Sequence, residues 1–206
     1  MEANNVTYKM QMPLVELADA DEKQKGLLEK VRQEIKMIPN MHKAMVNQPG
    51  LLSTYLYGYS LFRKESSLTP AEQEVVFLTI SAENNCIYCV GAHSLLADMV
   101  SKVPVQVTDA IRDNTEIPDE KLRALATFTS IMINKRGNPS PEDAAQFLKG
   151  GYTEQHILSI ILAIAVKTIS NYSNHVFHTE LDAAFKAREW TGYKIARSVL
   201  KFFQRK

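Results

Sequence analysis

Helix-start signals, with no strand pattern beside them, constrain the fold of this chain more than any other feature. Thr69-Pro70-Ala71-Glu72 combines an N-cap threonine, a proline at the first helical position and a glutamate at the third, which is typical of a capped helix start. Ser140-Pro141 repeats the pairing of cap and proline. No segment of the sequence shows a run of alternating β-branched residues, the usual mark of a strand. The sequence therefore predicts an all-α fold of short to medium helices.

Apolar periodicity and helix breakers give the bounds of the predicted helices. The first is capped by Asp19 or Asp21 and ends at Pro39, because the residue before a proline is pushed out of the helical region. A break is expected at Asn84-Asn85, since asparagine favours caps and turns. The helices after the first are predicted over residues 40–47, 51–62, 70–83, 86–100, 105–112, 119–135 and 141–149.

A long apolar helix is predicted to begin at Thr153 and to give way near Ile169 to a partner helix that runs through Ala187. Its apolar run, residues 157–166, is too short to span a bilayer as a helix, so we interpret it as a buried core helix. A basic helix over residues 187–206 completes the chain. We expect one domain across residues 1–206.

The spacing of the cysteine motif recurs later in the chain. Cys-x-x-Cys-x-x-x-His at residues 86–93 is echoed by Asn171, Asn174 and His178. Both sets follow an apolar helix that opens with Glu-Gln, although aligning the two openings requires a three-residue gap. Two interpretations stay open: a duplicated helix pair whose second copy lost the thiols, or convergence of two buried helix pairs.

Composition narrows the classes of function. Hydrophobic residues make up 45% and charged residues 23% of the 206 residues, as in an ordinary soluble globular protein. The formal net charge of +1 gives no electrostatic case for a nucleic-acid or membrane partner. The first residues lack the basic-then-apolar pattern of an export signal, so we expect a cytoplasmic protein. In such a chain, two cysteines three positions apart indicate redox or metal chemistry and not a disulfide scaffold.

The cysteine motif has a geometry suited to redox chemistry. On a helix, Cys86, Cys89 and His93 fall within an arc of roughly 60° at ~100° per residue, so both sulfurs and the imidazole share one face. A break before Cys86 leaves it in the first turn, where unpaired amides and the helix dipole favour the thiolate. The thiolate attacks peroxides and disulfides. The motif therefore predicts a redox-active dithiol.

Glu74 is the candidate acid of the site. It lies twelve residues before Cys86, about 18 Å along a continuous helix, so it reaches the site only if the chain turns back at residues 83–85. In that antiparallel pair Glu74 approaches His93, and acid, imidazole and thiol form a base relay. Glu72 and Glu83 are alternative candidates for this acid, because they are the other glutamates in the same segment. We assign Glu72 to the helix cap and place Glu74 on the apolar side.

Glu74 followed by Cys-x-x-Cys-x-x-x-His, after a Thr-Pro-capped helix, resembles the carboxymuconolactone decarboxylase superfamily. Within it the chain is similar to the alkyl hydroperoxide reductase D (AhpD) branch and its peroxidase-related relatives. Softer marks of that group are Met37-Ile38-Pro39-Asn40, Gln48-Pro49-Gly50-Leu51-Leu52 and Asn171-Tyr172-Ser173-Asn174-His175. The resemblance covers most of residues 14–186. It implies an AhpD-like bundle of paired antiparallel helices and a homo-oligomer, a trimer or a hexamer.

The resemblance also implies a role for each residue of the site. Cys89 is the peroxidatic cysteine, which a hydroperoxide oxidises to a sulfenic acid, and Cys86 resolves it as an intramolecular disulfide. His93 and Glu74 form the proton relay that activates Cys89. The best-known members carry a histidine just before the second cysteine, whereas this chain carries Tyr88. A phenol can donate a hydrogen bond but is a poor base near neutral pH.

We therefore expect a thiol-dependent peroxidase, an antioxidant oxidoreductase like alkyl hydroperoxide reductase. No prosthetic group or metal is expected, because the dithiol itself cycles. The expected partners are a hydroperoxide substrate and an external thiol reductant, either a protein or a small molecule, which the sequence does not identify.

Other interpretations stay open. The two cysteines can be buried small hydrophobes that happen to be close. They can also bind a metal together with His93 and Glu74, although structural zinc usually draws its ligands from two separate loops. A lyase of the same superfamily would use His93 and Glu74 as acid and base and would not need the cysteine pair. A non-enzymatic redox sensor would form the disulfide without turnover.

Overall fold

The structure is a computed structural model in which residues 7–188 are described. This part of the chain forms nine α-helices and a closing 3-10 helix, without a β-strand, which confirms the predicted all-α fold. Most of the predicted basic helix at 187–206 lies outside the described residues. The elements are α1 (Glu22–Ile35), α2 (Asn40–Met45), α3 (Pro49–Glu65), α4 (Pro70–Glu83), α5 (Ile87–Met99), α6 (Val105–Arg112), α7 (Glu120–Asn134), α8 (Pro141–Lys149), α9 (Glu154–Phe177) and the 3-10 helix Ala183–Arg188.

The described residues form two compact units. The first unit holds residues 7–67 and 153–180, and the second holds residues 68–152 and 181–188. The predicted cysteine, histidine and glutamate site lies wholly within the second unit. The expectation of a single domain across residues 1–206 stays a prediction.

The first unit is built around α9, which packs against α2 and α3, while α1 packs against α3. Asp21 caps α1 in a capping box with Gln24, so the second of the two predicted caps is the correct one. Gly58 brings α3 close to α9, because a Cβ there would lie 2.9 Å from Val166 Cγ2. A side chain at this position would push the two helices apart.

The predicted break near Ile169 is wrong, because α9 continues through this point as one helix of 24 residues. No proline or glycine interrupts residues 154–177, so nothing in the backbone stops the helix there. α9 ends at His178, where the chain leaves in a left-handed conformation with φ 48°. Asn171 and Asn174 therefore lie inside one helix, where a second copy of the cysteine hairpin would need a turn.

α9 is also long and apolar enough to cross a membrane, judged by length and composition alone. The sequence argument against this, a short apolar run, does not hold for the whole 24-residue helix. However, α9 carries fully buried polar side chains, among them Lys167, Ser170 and Asn171. A core helix of a soluble protein passes the same test, so length and composition are weak evidence for a membrane.

α4 is the centre of the second unit, where it packs against α5, α6 and α7. Its residues 72–81 are all buried, so this helix is covered on every side. Phe128 of α7, Phe147 of α8 and Tyr152 stack in series, with ring centroids 4.3 Å and 4.8 Å apart. Stacked rings of this kind bury large apolar area, which holds α8 against α7.

The capped start of α4 forms as predicted. Thr69 and Glu72 make a reciprocal capping box, in which Glu72 accepts the Thr69 N–H at 2.8 Å. Lys121 pairs with the same carboxylate at 2.9 Å, and the Tyr152 hydroxyl donates to it at 3.2 Å. Burial alone would raise the pKa of Glu72, but the hydrogen bonds from Lys121 and Thr69 outweigh burial and lower this pKa. Glu72 therefore belongs to the cap and not to the cysteine site.

The chain reverses between α4 and α5 through a Schellman motif. Asn85 adopts a left-handed conformation with φ 52°, and its N–H donates to the Ala82 carbonyl at 2.9 Å. The Cys86 N–H donates to the Ser81 carbonyl, also at 2.9 Å. Cys86 is at the same time the N-cap of α5. This confirms the predicted reversal at residues 83–85, which turns α5 back along α4.

Asn85→Ala is expected to lower the free energy of unfolding by about 1 kcal/mol, because alanine is disfavoured at positive φ. Asn85→Gly should leave the free energy of unfolding unchanged or raise it, since glycine adopts this conformation without strain. Urea denaturation of the native chain and both variants measures the difference. Equal losses in both variants would instead assign the effect to the Asn85 side chain, whose Nδ2 donates to the Glu83 carbonyl at 3.4 Å.

His42 of α2 is a buried imidazole in the first unit. It is 7% exposed, and its ring meets the Tyr55 ring edge-on at 5.8 Å. Its Nδ1 has no hydrogen-bond partner among residues 7–188. Burial removes water from the charged form, which lowers the pKa of His42 from 6.5 to about 4. The unfolded chain therefore binds a proton at a higher pH than the folded chain does.

The contribution of His42 to stability is expected to be fully present above about pH 6.5 and to be lost as the pH falls towards about 4. Between about pH 6.5 and 5, this one group should lower the free energy of unfolding by about 2 kcal/mol. His42→Gln, measured by urea denaturation across this range, should lose that much less than the native chain. His175→Gln, at an exposed histidine, should follow the native chain, and a shallower slope in it would argue against His42 as the source.

Candidate active site

Cys86 and Cys89 lie at the N-terminal end of α5 and are 1% and 2% exposed. Cys89 is the third helical residue, whereas Cys86 is the N-cap, with extended φ and ψ of −88° and 92°. Helical phase predicted that Cys86, Cys89 and His93 share one helix face. Because Cys86 lies ahead of the helix, only Cys89 and His93 keep a helical spacing, one turn apart on one face. The first bond within α5 runs from Val90 N–H to the Cys86 carbonyl at 2.9 Å. The amides of residues 87–89 lie ahead of it, at the positive end of the helix dipole, which favours a thiolate.

Glu74 of α4 meets His93 of α5, as the predicted reversal requires. His93 Nδ1 lies 2.8 Å from Glu74 Oε2, and the two side chains are 6% and 2% exposed. An ionised carboxylate only accepts hydrogen bonds, so Nδ1 carries the proton in this pair. The other ring nitrogen, Nε2, is then the atom that can take a further proton. The pair has the arrangement of a general base oriented by a carboxylate.

Phe77 packs against the His93 ring. It lies one turn along α4 from Glu74, is fully buried, and holds its ring centroid 5.1 Å from that of His93 at 49°. α4 thus supplies a carboxylate that fixes one edge of the imidazole and an aromatic ring that packs against it. Because water is excluded, the charge of Glu74 acts on His93 more strongly than at the surface. Sequence reasoning did not single out Phe77, so this role was missed.

Tyr88, between the two cysteines, is anchored to the segment that follows α9. Its hydroxyl donates to Asp182 Oδ2 at 2.5 Å, and its ring meets Phe185 edge-on at 6.3 Å. Sequence reasoning missed Asp182, which lies 94 residues from Tyr88 and carries no local signal. Gly91 did carry a local signal, since a glycine inside a helix can mark a place where another segment packs close to the helix backbone. A Cβ on Gly91 would lie 2.7 Å from Leu181 Cδ2.

The groups gathered here can release both protons and electrons to a suitable oxidant. Two thiols can give up two electrons by forming a disulfide, and the His93–Glu74 pair can hold the proton that a thiol releases. Within the described residues, no group of three or more His, Cys, Asp or Glu is placed to hold a metal ion.

Comparison with known proteins identifies similar structures but no similar sequence family. No protein-family model matches the sequence, and no curated protein sequence matches it. Among solved structures, the chain is similar to an uncharacterized peroxidase-related protein from Ralstonia eutropha JMP134, described as an alkylhydroperoxidase AhpD core. The TM-score is 0.74 at 23% identity, over 85% of this chain and 93% of the other. The chain has the AhpD-like fold.

Two further structures share the AhpD-like fold. An uncharacterized peroxidase-related protein from Silicibacter sp. TM1040 has a TM-score of 0.71 at 19% identity, over 88% of this chain and 97% of that one. The debrominase Bmp8, in its C82A variant in complex with 2,3,4-tribromopyrrole, has a TM-score of 0.68 at 17% identity, over 87% and 96% of the two chains. These likenesses agree with the fold implied by the sequence resemblance. They do not select a substrate.

Glu74→Gln is expected to slow alkylation of Cys89 by iodoacetamide about tenfold near pH 7. The amide can still accept a hydrogen bond from His93, but it no longer stabilises a protonated imidazole, which lowers the thiolate fraction. Peptide mapping by mass spectrometry after timed quenching gives the rate at each cysteine. Glu83→Gln is the matched control, because Glu83 lies on the same helix and accepts from Ser130 and Asn134. Equal rates in the native chain and Glu74→Gln would remove Glu74 from the relay.

Proposed function

We propose that this protein is a dithiol oxidoreductase that reduces hydroperoxides with Cys89 and Cys86. The observation that carries the proposal is the buried 2.8 Å hydrogen bond between His93 and Glu74, one helical turn from Cys89. A structural histidine is commonly satisfied by a backbone carbonyl, whereas a buried carboxylate on an imidazole is the arrangement that activates a nearby nucleophile. The AhpD-like fold of peroxidase-related proteins supports the same function.

The first half of the reaction oxidises Cys89. His93 Nε2 takes the thiol proton, and Glu74 stabilises the imidazolium that results. The Cys89 thiolate attacks the terminal, hydrogen-bearing oxygen of the hydroperoxide, so a sulfur–oxygen bond forms as the oxygen–oxygen bond breaks. His93 returns its proton to the leaving alkoxide, which departs as an alcohol. Cys89 is left as a sulfenic acid.

The second half forms the disulfide. The Cys86 sulfur attacks Cys89 sulfenic acid, and the hydroxyl group leaves as water with the proton that Cys86 releases. In total, one hydroperoxide and two thiols give one alcohol, one water and one disulfide. An external dithiol then reduces the disulfide and is itself oxidised, which returns the site to its starting state.

The cysteines separate this function from the lyase and sensor interpretations. A lyase that uses His93 and Glu74 as acid and base does not need two thiols at the end of α5. A sensor would form the disulfide once and stop, whereas a peroxidase consumes hydroperoxide repeatedly while a reductant is present. The debrominase with the same fold means that a brominated pyrrole belongs in the assay beside the hydroperoxides.

Steady-state consumption of cumene hydroperoxide, with a small dithiol as reductant, tests the proposal in the native chain. Cys86→Ser is expected to turn over more slowly, because only the external dithiol can then reduce the oxidised Cys89. Treated with hydroperoxide in the absence of reductant, Cys86→Ser should accumulate a sulfenic acid on Cys89, which dimedone traps for mass spectrometry. Cys89→Ser should neither turn over nor trap dimedone. Slower turnover in Cys86→Ser, no turnover in Cys89→Ser and the dimedone adduct on Cys89 are together the expected result.

Three outcomes would contradict this assignment. A dimedone adduct on Cys86 in Cys89→Ser would reverse the roles of the two cysteines. Hydroperoxide consumption that persists in both variants would remove the dithiol from the chemistry. A single stoichiometric oxidation without turnover would favour the sensor.

A further inference from the structure

The proposed chemistry uses the cysteines, His93 and Glu74, and it leaves the attachment of Tyr88 without a role. Tyr88 is 4% exposed and lies in the first turn of α5 between the two cysteines. Its partners come from residues 181–186, which pack along α5 in the second unit.

Access to the sulfurs requires the chain to move. Cys86 and Cys89 are 1% and 2% exposed, so a reagent reaches them only when the first turn of α5 opens locally. Helix ends are where such opening concentrates, because the first amides of a helix make no bond within it. A small reagent needs a small opening, whereas a bulky reagent needs the whole turn to separate from its surroundings.

Residues 181–186 contact this turn and the one after it through the following side chains. The Tyr88 hydroxyl donates to Asp182 at 2.5 Å, and the Phe185 ring packs against the Tyr88 ring. One turn further on, Leu181 occupies the space that a side chain on Gly91 would need. A hydrogen bond to a carboxylate is among the stronger contacts of a protein interior. The turn that carries both cysteines therefore cannot open fully without breaking the Tyr88–Asp182 bond.

We propose that Tyr88 and Asp182 are specificity-determining residues, which clamp the cysteine turn so that small reagents reach the sulfurs and bulky ones do not. The natural hydroperoxide and reductant are then small molecules, the reductant being a small dithiol and not a protein. Where the best-known members of the family that the sequence resembles carry a histidine before the second cysteine, this chain carries Tyr88, which holds the first turn of α5 through Asp182. This inference deepens the proposed function and rests on it for the identity of the reagents.

The clamp is tested with two maleimides that share one reactive group and differ in size, N-ethylmaleimide and a polyethylene-glycol-linked maleimide. The readout is the ratio of the alkylation rates of the two reagents at Cys86 and Cys89. In the native chain the bulky reagent should be strongly disfavoured. Tyr88→Phe keeps the ring and removes the hydroxyl, and Asp182→Ala removes the acceptor. Each should raise the ratio of bulky to small reagent about tenfold.

Tyr152→Phe is the matched control. It removes another tyrosine–carboxylate hydrogen bond of the second unit, the contact of Tyr152 with Glu72, away from the cysteine turn. Its ratio should equal that of the native chain. The double variant Tyr88→Phe/Asp182→Ala should raise the ratio no further than either single variant, because one contact is broken in all three.

An unchanged ratio in both single variants overturns the clamp. So does an equal rise in the rates of both reagents, which reports general loosening, or a rise in Tyr152→Phe. Because alkylation needs no turnover, the result stands apart from the hydroperoxide assay. If the variants change the size ratio but the native chain consumes no hydroperoxide, the clamp is supported and the proposed function is contradicted. If the native chain consumes hydroperoxide but the variants leave the size ratio unchanged, only the clamp is contradicted.

The same variants identify the class of reductant. Once the Cys86–Cys89 disulfide has formed, its reduction by dithiothreitol is compared with its reduction by a thioredoxin-type protein. The native chain should favour dithiothreitol, and Tyr88→Phe should raise the rate of the protein reductant about tenfold relative to dithiothreitol. A native disulfide that the protein reductant reduces as fast as dithiothreitol does would contradict the assignment of a small reductant.

Discussion

The left-handed turn at Asn85 is the constraint on which the site depends. This turn closes α4 with a hydrogen bond from the Cys86 N–H to the Ser81 carbonyl. Cys86 is then the N-cap of α5. The reversal brings Glu74 to His93, which one continuous helix would keep far apart. A single backbone conformation thus sets both the position of the first thiol and the pairing of the acid with the imidazole.

Burial shapes the chemistry of the site in two opposing ways. α4 is enclosed by α5, α6 and α7, so Glu74 and His93 act on each other with little screening by water. The same enclosure hides both sulfurs, which limits what can react with them. A reactive dithiol therefore needs the helix end to stay partly free to open, and residues 181–186 restrain that opening through Tyr88.

Much of the fold could be predicted from local chemistry. The capping box of Thr69 and Glu72, the Asp21 cap and the turn at Asn85 formed as expected, because each depends on side chains within a few residues of the backbone group they satisfy. The predicted break near Ile169 was wrong. Serine and asparagine favour caps when exposed, but in α9 they are buried among packed helices, and packing overrides propensity.

The sequence by itself determined the all-α class, the capped starts of α1 and α4, the i, i+4 pairing of Cys89 with His93, and Glu74 as the acid that a reversal would deliver. These follow from bonds between near neighbours in the chain. Only the tertiary structure decided that Phe77 packs on His93 and that Tyr88 is held by Asp182. These contacts join distant segments, and no local rule encodes them, because they depend on which helix faces meet when the core packs.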